Sequence, residues 1–298
     1  MSSANLLFLL MVFFGPLVTI SSSNWLICWI GIELGFIGLI PLLFFGGTYY
    51  SLNKECVLKY FCVQAFSSAL LFLGGLVMYE CYSEGSFDED VLLFGFLMFC
   101  SLVLKLGGYP GHFWVLGVVS GLEWMPLLLL LAWQKVAPFS IMVNLLENNS
   151  WLHSLALLVG GFSSLVGSLI GLNQTNFRAV LGASSISHTG WALIGSVYGS
   201  FWLYFGLYCF SFLTLILFLG LNNYFMSSLS VLSLSGLPPF ILFIGKWKVL
   251  LAAISSGCHF LFLVLPLLGA FISLFFYLKF LYSFYLSDEF GKLSSSMY

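Results

Sequence analysis

Leu102-Val-Leu-Lys105-Leu-Gly107-Gly108-Tyr-Pro110-Gly111-His112-Phe-Trp114 is the stretch whose reading decides the fold. It sets one lysine in the middle of an apolar run from Val91 to Val119, then places three glycines and a proline directly after it. A helix does not pass smoothly through that cluster, because proline lacks the N–H and glycine adds backbone freedom. The stretch therefore reads as a buried amine beside a break in a membrane helix. Broken backbone at membrane depth is tolerated where it lines a cavity, and ion pathways lie in such places.

The rest of the chain has the composition this reading needs. It is 61% hydrophobic and 7% charged over 298 residues, against about 25% charged in a soluble domain. With about 20 apolar residues per span, there is room for some ten spans and no soluble domain. A net charge of −2 and a single arginine, Arg178, argue against nucleic acid as a partner. The seven cysteines are scattered with no Cys-x-x-Cys pair, which suggests neither a zinc nor an iron–sulfur site. They read as small buried apolar residues. The N-terminus lacks a basic region before its apolar run, so no cleavable signal peptide is expected. Abundant Phe, Leu, Gly, Val, Trp and Cys have codons rich in T and G, which points to a strand-biased organelle genome.

Ten hydrophobic segments can be drawn, roughly 4–20, 25–45, 57–79, 91–119, 122–145, 151–172, 177–198, 200–221, 229–253 and 259–286. The fold class expected is all-α, a polytopic membrane protein of about ten transmembrane helices forming one integral membrane domain over 1–298. With the N-terminus inside, Lys54, Arg178 and Lys292 fall inside, while the acidic stretch 80–90 and Glu147 fall outside. Both termini are therefore expected on the inner side. Lys59 and Lys279 sit near inner ends, where they can snorkel. Ten segments divide into two repeats of five, about 1–147 and 148–298, and an odd count inverts the second. The fourth segment of each repeat is interrupted: Gly107-Gly108-Tyr109-Pro110 in the first, Ser235-Gly236-Leu237-Pro238-Pro239 in the second. Paired interruptions at corresponding positions point to a transport site. Simple helix kinks are the bland alternative.

Four charged residues lie well inside apolar segments: Glu33, Lys105, Lys135 and Lys246. Each costs about 2.5–3.5 kcal/mol on insertion scales, which a chain so poor in charge does not spend on packing. The bland reading is a structural ion pair, for example Glu33 with Lys105. The functional reading is proton transfer. An amine held away from water gives up its proton readily, and a nearby carboxylate makes it hold on. His112 and His188 are candidate relays between the amines; Ser184, Ser185, Ser187 and Thr189 surround His188 as further hydroxyls. His153 and His259 lie near segment ends, and Lys248 reads either as a second buried amine or as an edge residue. No phosphate-binding loop, dinucleotide fingerprint or haem-type histidine pair occurs.

Seven stretches in order resemble a known family. They are Trp29-Ile-Gly-Ile-Glu33, Lys59-Tyr-Phe-Cys-Val-Gln64-Ala-Phe-Ser67, Lys105 to Trp114, Trp133-Gln-Lys135-Val-Ala-Pro138, Leu172-Asn-Gln-Thr175 with Arg178, Ser184 to Trp191, and Leu234-Ser-Gly-Leu-Pro238-Pro-Phe240 with Lys246-Trp247. The chain resembles the mitochondrial NADH dehydrogenase (ubiquinone) subunit 2 family, antiporter-like membrane subunits of respiratory complex I. It departs from that family at Leu34-Gly35-Phe36, where an Asn-containing run is usual, and at Leu116-Gly117, where Pro-Glu is usual. Many relatives also carry one more helix after the tenth segment. The resemblance implies a mid-membrane proton chain of a glutamate and three lysines, matched here by Glu33, Lys105, Lys135 and Lys246. It implies that NADH, FMN, iron–sulfur clusters and ubiquinone belong to the parent complex, with no cofactor bound by this chain. It implies the other membrane-arm subunits of complex I and membrane lipids as partners, protons as the transported ion, and a mitochondrial inner membrane location with both termini on the matrix side. A stand-alone cation/proton antiporter is the alternative function, and a scaffold with static ion pairs is a third.

Overall fold

A computed structural model of the chain describes residues 3–44, 50–84 and 89–295. The acidic side chains of Glu84, Asp88, Glu89 and Asp90, and that of Lys292, lie outside the described residues. The fold is all-α. In chain order the helices are α1 (Ser3–Ser21), α2 (Trp25–Leu43), α3 (Tyr50–Glu84), α4 (Glu89–Leu106), α5 (Phe113–Val119), α6 (Trp124–Leu131), α7 (Val136–Asn148), α8 (Leu152–Leu172), α9 (Phe177–Val197), α10 (Phe201–Gly220), α11 (Tyr224–Ser235), α12 (Ile241–Ser255) and α13 (Phe260–Ser295). A single 3₁₀ turn, Trp133–Lys135, separates α6 from α7.

Six stretches among the described residues are helical, long and apolar enough to cross a bilayer: Trp25–Leu43, Lys54–Glu80, Trp124–Glu147, Leu152–Leu172, Phe201–Gly220 and Phe260–Leu286. Others fall short of that measure for reasons visible in their sequences. The first segment, α4 and α11 offer shorter apolar helices, and the last two end at the expected breaks. By length α9 is a span, but it carries a run of hydroxyls and His188, and every residue from Ala179 to Ser196 is buried. A helix wrapped by other helices needs no lipid-compatible face, so its hydropathy drops without cost. Its hydroxyls bond their own helix: Ser184 donates to the Leu181 carbonyl at 2.9 Å, Ser187 to Ser184 at 2.7 Å and Thr189 to Ile186 at 2.7 Å.

The chain divides into two compact units, Met1–Val159 and Gly160–Tyr298, with the division inside α8. In the first, α1 and α2 meet through glycine. A Cβ on Gly15 would lie 2.7 Å from the Gly31 carbonyl oxygen, and one on Gly31 would lie 2.6 Å from Thr19 Cγ2. Such close approach supplies the dispersion contact that holds helices together where lipid provides no hydrophobic drive. In the second unit α8 and α9 meet in the same way, with a Cβ on Gly160 falling 2.9 Å from the Gly190 carbonyl oxygen.

The fifth hydrophobic segment, drawn over about 122–145, is one apolar stretch from Trp124 to Glu147, and within it the α-helix stops at Leu131 and resumes at Val136. Pro138 explains the position: its missing N–H and its ring disfavour an ordinary α-turn over the residues just before it. The cysteines differ from expectation. Cys28 and Cys56 are buried, but Cys62 is exposed and Cys100, Cys209 and Cys258 are intermediate. In a membrane an exposed thiol on an apolar helix faces lipid at little cost, which composition does not distinguish from burial.

Candidate functional site

The first break forms as the glycines require. Gly107 takes φ +70°, Gly107 N–H bonds the Leu104 carbonyl at 3.2 Å, and Gly108 N–H bonds Val103 at 3.0 Å. This pair of bonds closes a helix on a left-handed residue, a conformation that suits glycine. Trp114 Nε1 donates to the Leu104 carbonyl at 3.1 Å, adding a further bond at the helix end. Lys105 thus sits in the last turn of α4, where the negative end of the helix dipole favours a cation.

Around Lys105 the first unit assembles a polar cluster in an apolar core. The lysine is 5% exposed. Its Nζ lies 3.8 Å from Glu33 Oε1 and donates to the Gln64 backbone carbonyl at 3.5 Å. The Gln64 side chain returns the contact, donating from Nε2 to the Lys105 carbonyl at 3.2 Å. At 3.8 Å the ion pair is open, since charge-assisted N–H···O bonds close to about 2.7–2.9 Å. Glu33 Oε1 is buried with no hydrogen-bond partner. The carboxylate is within Coulombic reach of the amine and is not locked to it.

Lys135 joins this cluster through a cavity. A void of about 20 Å³ is lined by both Lys105 and Lys135, with Tyr60, Gln64 and Gln134 supplying further polar groups and Trp114 part of the apolar wall. A polar void needs about 10–15 Å³ to hold a water molecule, so this one has room for about one. Lys135 is 6% exposed and ends the 3₁₀ turn, a geometry common at functional hinges. Its neighbour Gln134 donates from Nε2 to the Gly35 carbonyl at 2.7 Å, tying the turn to α2 one half-turn beyond Glu33. His112 is buried between α4 and α5, its Nδ1 without a hydrogen-bond partner; its ring packs on Phe113 at 4.2 Å.

In the second unit, α11 ends at Ser235 and Gly236 takes φ +75°. Lys246 reaches back from α12 and donates from Nζ to the Ser235 carbonyl at 2.8 Å. Its Nζ also lies 5.9 Å from the centroid of the Trp191 ring, within cation–π range. Each broken helix therefore places an ammonium at the C-terminal end of its first half, in one case from that half and in the other from the second. Lys248 is exposed, which decides between its two readings. His188, on α9, is 3% exposed. Its Nδ1 lies 2.8 Å from Tyr204 Oη and its Nε2 lies 3.2 Å from Tyr277 Oη.

The sequence therefore located Glu33, Lys105 and Lys135, which the fold brings together, and Lys246 and His188, which stand in the other unit. It missed Gln64 and Gln134 as anchors and Tyr204 and Tyr277 as partners of His188. The hydroxyls it offered on α9 itself donate to carbonyls of their own helix, as buried serines commonly do, and that of Ser184 also meets the Tyr277 side chain. Two glutamines inside apolar segments, Gln64 and Gln134, were the available signal. Among the described residues no group of three or more His, Cys, Asp or Glu side chains is placed to hold a metal ion.

The family model described as NADH:quinone oxidoreductase/Mrp antiporter, transmembrane, matches residues 22–228. The chain is 37% identical over 282 residues to NADH-ubiquinone oxidoreductase chain 2 of Albinaria caerulea, covering 93% of this chain and 88% of that one. It is 40% identical to the protein of that name from Branchiostoma floridae, covering 87% and 79%. Among solved structures it is similar to a chain of respiratory complex I from Thermus thermophilus, with TM-score 0.77 and 24% identity over 91% of this chain and 69% of that one. It is also similar to a chain of the Mrp complex from a Dietzia species, with TM-score 0.82 and 17% identity over 92% and 59%. At these identities the two structures speak to the fold.

Proposed function

This chain belongs to the NADH:quinone oxidoreductase/Mrp antiporter transmembrane family, among relatives named NADH-ubiquinone oxidoreductase chain 2, and from that premise we propose that it is a proton-translocating membrane subunit of NADH:ubiquinone oxidoreductase. Its proton-carrying groups are Glu33, Lys105, Lys135 and Lys246, with His112 and His188 as relays. The two five-segment halves, about 1–147 and 148–298, each contribute a broken helix. NADH oxidation and quinone reduction, with their flavin and iron–sulfur centres, belong to neighbouring subunits, and this chain takes its drive from them. It resides in the mitochondrial inner membrane against other membrane-arm subunits and lipid, with both termini on the matrix side.

The observation that carries this reading is the open Glu33–Lys105 pair beside a cavity shared with Lys135. Two unit charges about 4 Å apart attract by about 4 kcal/mol at an effective dielectric of about 20. While Glu33 stays close, Lys105 holds its proton. When the carboxylate swings away, that stabilisation falls and the amine releases the proton toward Lys135 through the small cavity. The buried Glu33 Oε1 accepts no hydrogen bond, so no bond to a neighbour has to break when the carboxylate moves, which supports a relay over a scaffold. The stand-alone antiporter reading has weaker support, since the Mrp likeness is one of fold while the oxidoreductase chains match over most of both sequences.

Two measurements test the proposal. Inner membranes solubilised in mild detergent are run on a native gel stained for NADH oxidation, with peptides of this chain sought by mass spectrometry. The chain is expected in a very large NADH-oxidising band; a small NADH-inactive species would overturn the assignment. Lys105→Met is then expected to leave assembly intact and lower protons pumped and turnover. Unchanged pumping in an assembled complex would return the scaffold reading.

A further inference from the structure

His188 is held differently from His153. His153 Nε2 lies 2.9 Å from the Leu146 backbone carbonyl. A carbonyl only accepts, so that bond fixes the proton on Nε2 and freezes one tautomer. At His188 both ring nitrogens meet phenol hydroxyls, Tyr204 on α10 at 2.8 Å and Tyr277 on α13 at 3.2 Å. A hydroxyl donates or accepts by rotating its hydrogen. The cluster therefore accepts either neutral tautomer, and the imidazolium as well, with no heavy atom displaced. All three side chains are buried, with Tyr204 at 0%, Tyr277 at 2% and His188 at 3% exposure.

The cluster also has a direction. The Tyr204 ring packs on α12, where a Cβ built on Gly245 would lie 3.1 Å from its Cδ2, and Lys246 is the next residue. Trp191, which lies beside the Lys246 ammonium, is three residues beyond His188 on α9, so the two side chains share one helix face. Tyr277 approaches the imidazole from α13. The imidazole thus bridges the hydroxyl of a tyrosine whose ring base packs on the Lys246 helix to a hydroxyl on a different helix.

We infer that Tyr277, His188 and Tyr204 form a hydroxyl–imidazole–hydroxyl proton wire ending beside the Lys246 helix, with the two tyrosines as proton-carrying residues. The inference rests on the reading of this chain as a proton path and extends it to residues the sequence did not nominate. In one passage, Tyr277 Oη gains a proton from its far side and gives its own hydroxyl proton to His188 Nε2. His188 Nδ1–H gives its proton to Tyr204 Oη, and Tyr204 releases its original hydroxyl proton toward α12. One O–H bond forms and one breaks on each tyrosine, while an N–H forms at Nε2 and one breaks at Nδ1. One proton moves, no electron moves, and no phenolate persists. The passage leaves His188 as its Nε2–H tautomer, which the same two hydroxyls accommodate by rotating their hydrogens.

Tyr208 provides the control. Its ring lies 4.9 Å from that of His188, yet its hydroxyl is buried with no hydrogen-bond partner. Tyr204→Phe, Tyr277→Phe and Tyr208→Phe remove the same group from one neighbourhood. Protons pumped per NADH oxidised, read in the assembled complex in sealed vesicles, should fall with Tyr204→Phe and with Tyr277→Phe and stay unchanged with Tyr208→Phe. Equal ratios in all three variants would overturn the wire. So would failure of both Tyr204→Phe and Tyr277→Phe to assemble, since that would make the hydroxyls structural staples; one assembled variant suffices for the test. Lys105→Met and Lys246→Met are measured alongside. If the lysine variants lose pumping and the tyrosine variants do not, the wire alone fails. If no variant changes the ratio, the reading of the chain as a proton path fails with it.

Discussion

At the scale of the residue, the distance from Lys105 Nζ to Glu33 Oε1 matters more than the identity of the two groups. At 3.8 Å the pair is near enough to stabilise both charges and too far apart to share a hydrogen bond. Glu33→Gln removes the negative charge with little change of shape. It should leave the complex assembled and slow NADH-driven pumping by about tenfold or more, since losing even a third of an attraction of about 4 kcal/mol shifts an equilibrium tenfold. The comparison is of initial pumping rates in vesicles holding equal amounts of complex. Tyr208→Phe should act on stability alone: its hydroxyl is buried and unbonded, and a buried unmade hydrogen bond costs about 1–3 kcal/mol. The thermal midpoint of the complex should hold or rise, and a marked fall would show that the hydroxyl has a partner. Sequence could name Glu33 and Lys105 because charge inside an apolar run is costly wherever it sits. It could not supply the 3.8 Å, which depends on α2 and α4 meeting at particular turns.

At the scale of the element, glycines are used for two different purposes. Gly236 provides a left-handed turn at φ +75°, and a Cβ there would fall 2.8 Å from Lys246 Nζ. Gly236→Ala should therefore strain the backbone, by about 1–2 kcal/mol, and displace the ammonium from the Ser235 carbonyl. Lower pumping with residual assembly is expected, and wild-type pumping would show that the Lys246–Ser235 bond is dispensable. Gly31 instead lets α1 and α2 touch. Gly31→Leu should remove the large NADH-oxidising band from native gels, whereas Gly206→Leu, where a Cβ meets nothing within 4 Å, should leave it. The breaks after Leu106 and Ser235 were legible because Gly and Pro act on the local backbone. The 3₁₀ turn at Trp133–Lys135 was not, although Pro138 stood three residues past Lys135. A proline in a helix can bend it, end it or be absorbed, and packing selects among these. Here Trp133 Nε1 bonds the Val12 carbonyl at 2.9 Å and Gln134 bonds Gly35, both from other helices.

At the scale of the whole molecule, the few cations in connecting segments predict the orientation. A protease site inserted at Ser150 should be cut in mitoplasts with an intact inner membrane, and one at Asn173 only after permeabilisation; the reverse pattern would place the termini outside. By itself the sequence determined that this is an all-α membrane protein, where two of its helices break, and which four charges stand inside apolar segments, the three lysines among them buried. Those properties follow from composition, from backbone chemistry at Gly and Pro, and from the cost of charge in hydrocarbon, none of which needs a partner helix. The tertiary structure decided which polar groups touch. It opened the Glu33–Lys105 pair, put Lys105 and Lys135 on one small cavity, exposed Lys248, and gave His188 two tyrosines while the serines beside it bonded their own helix. Those outcomes depend on which faces of separate helices meet, and a rotation of one residue, about 100° around a helix, would have changed each of them.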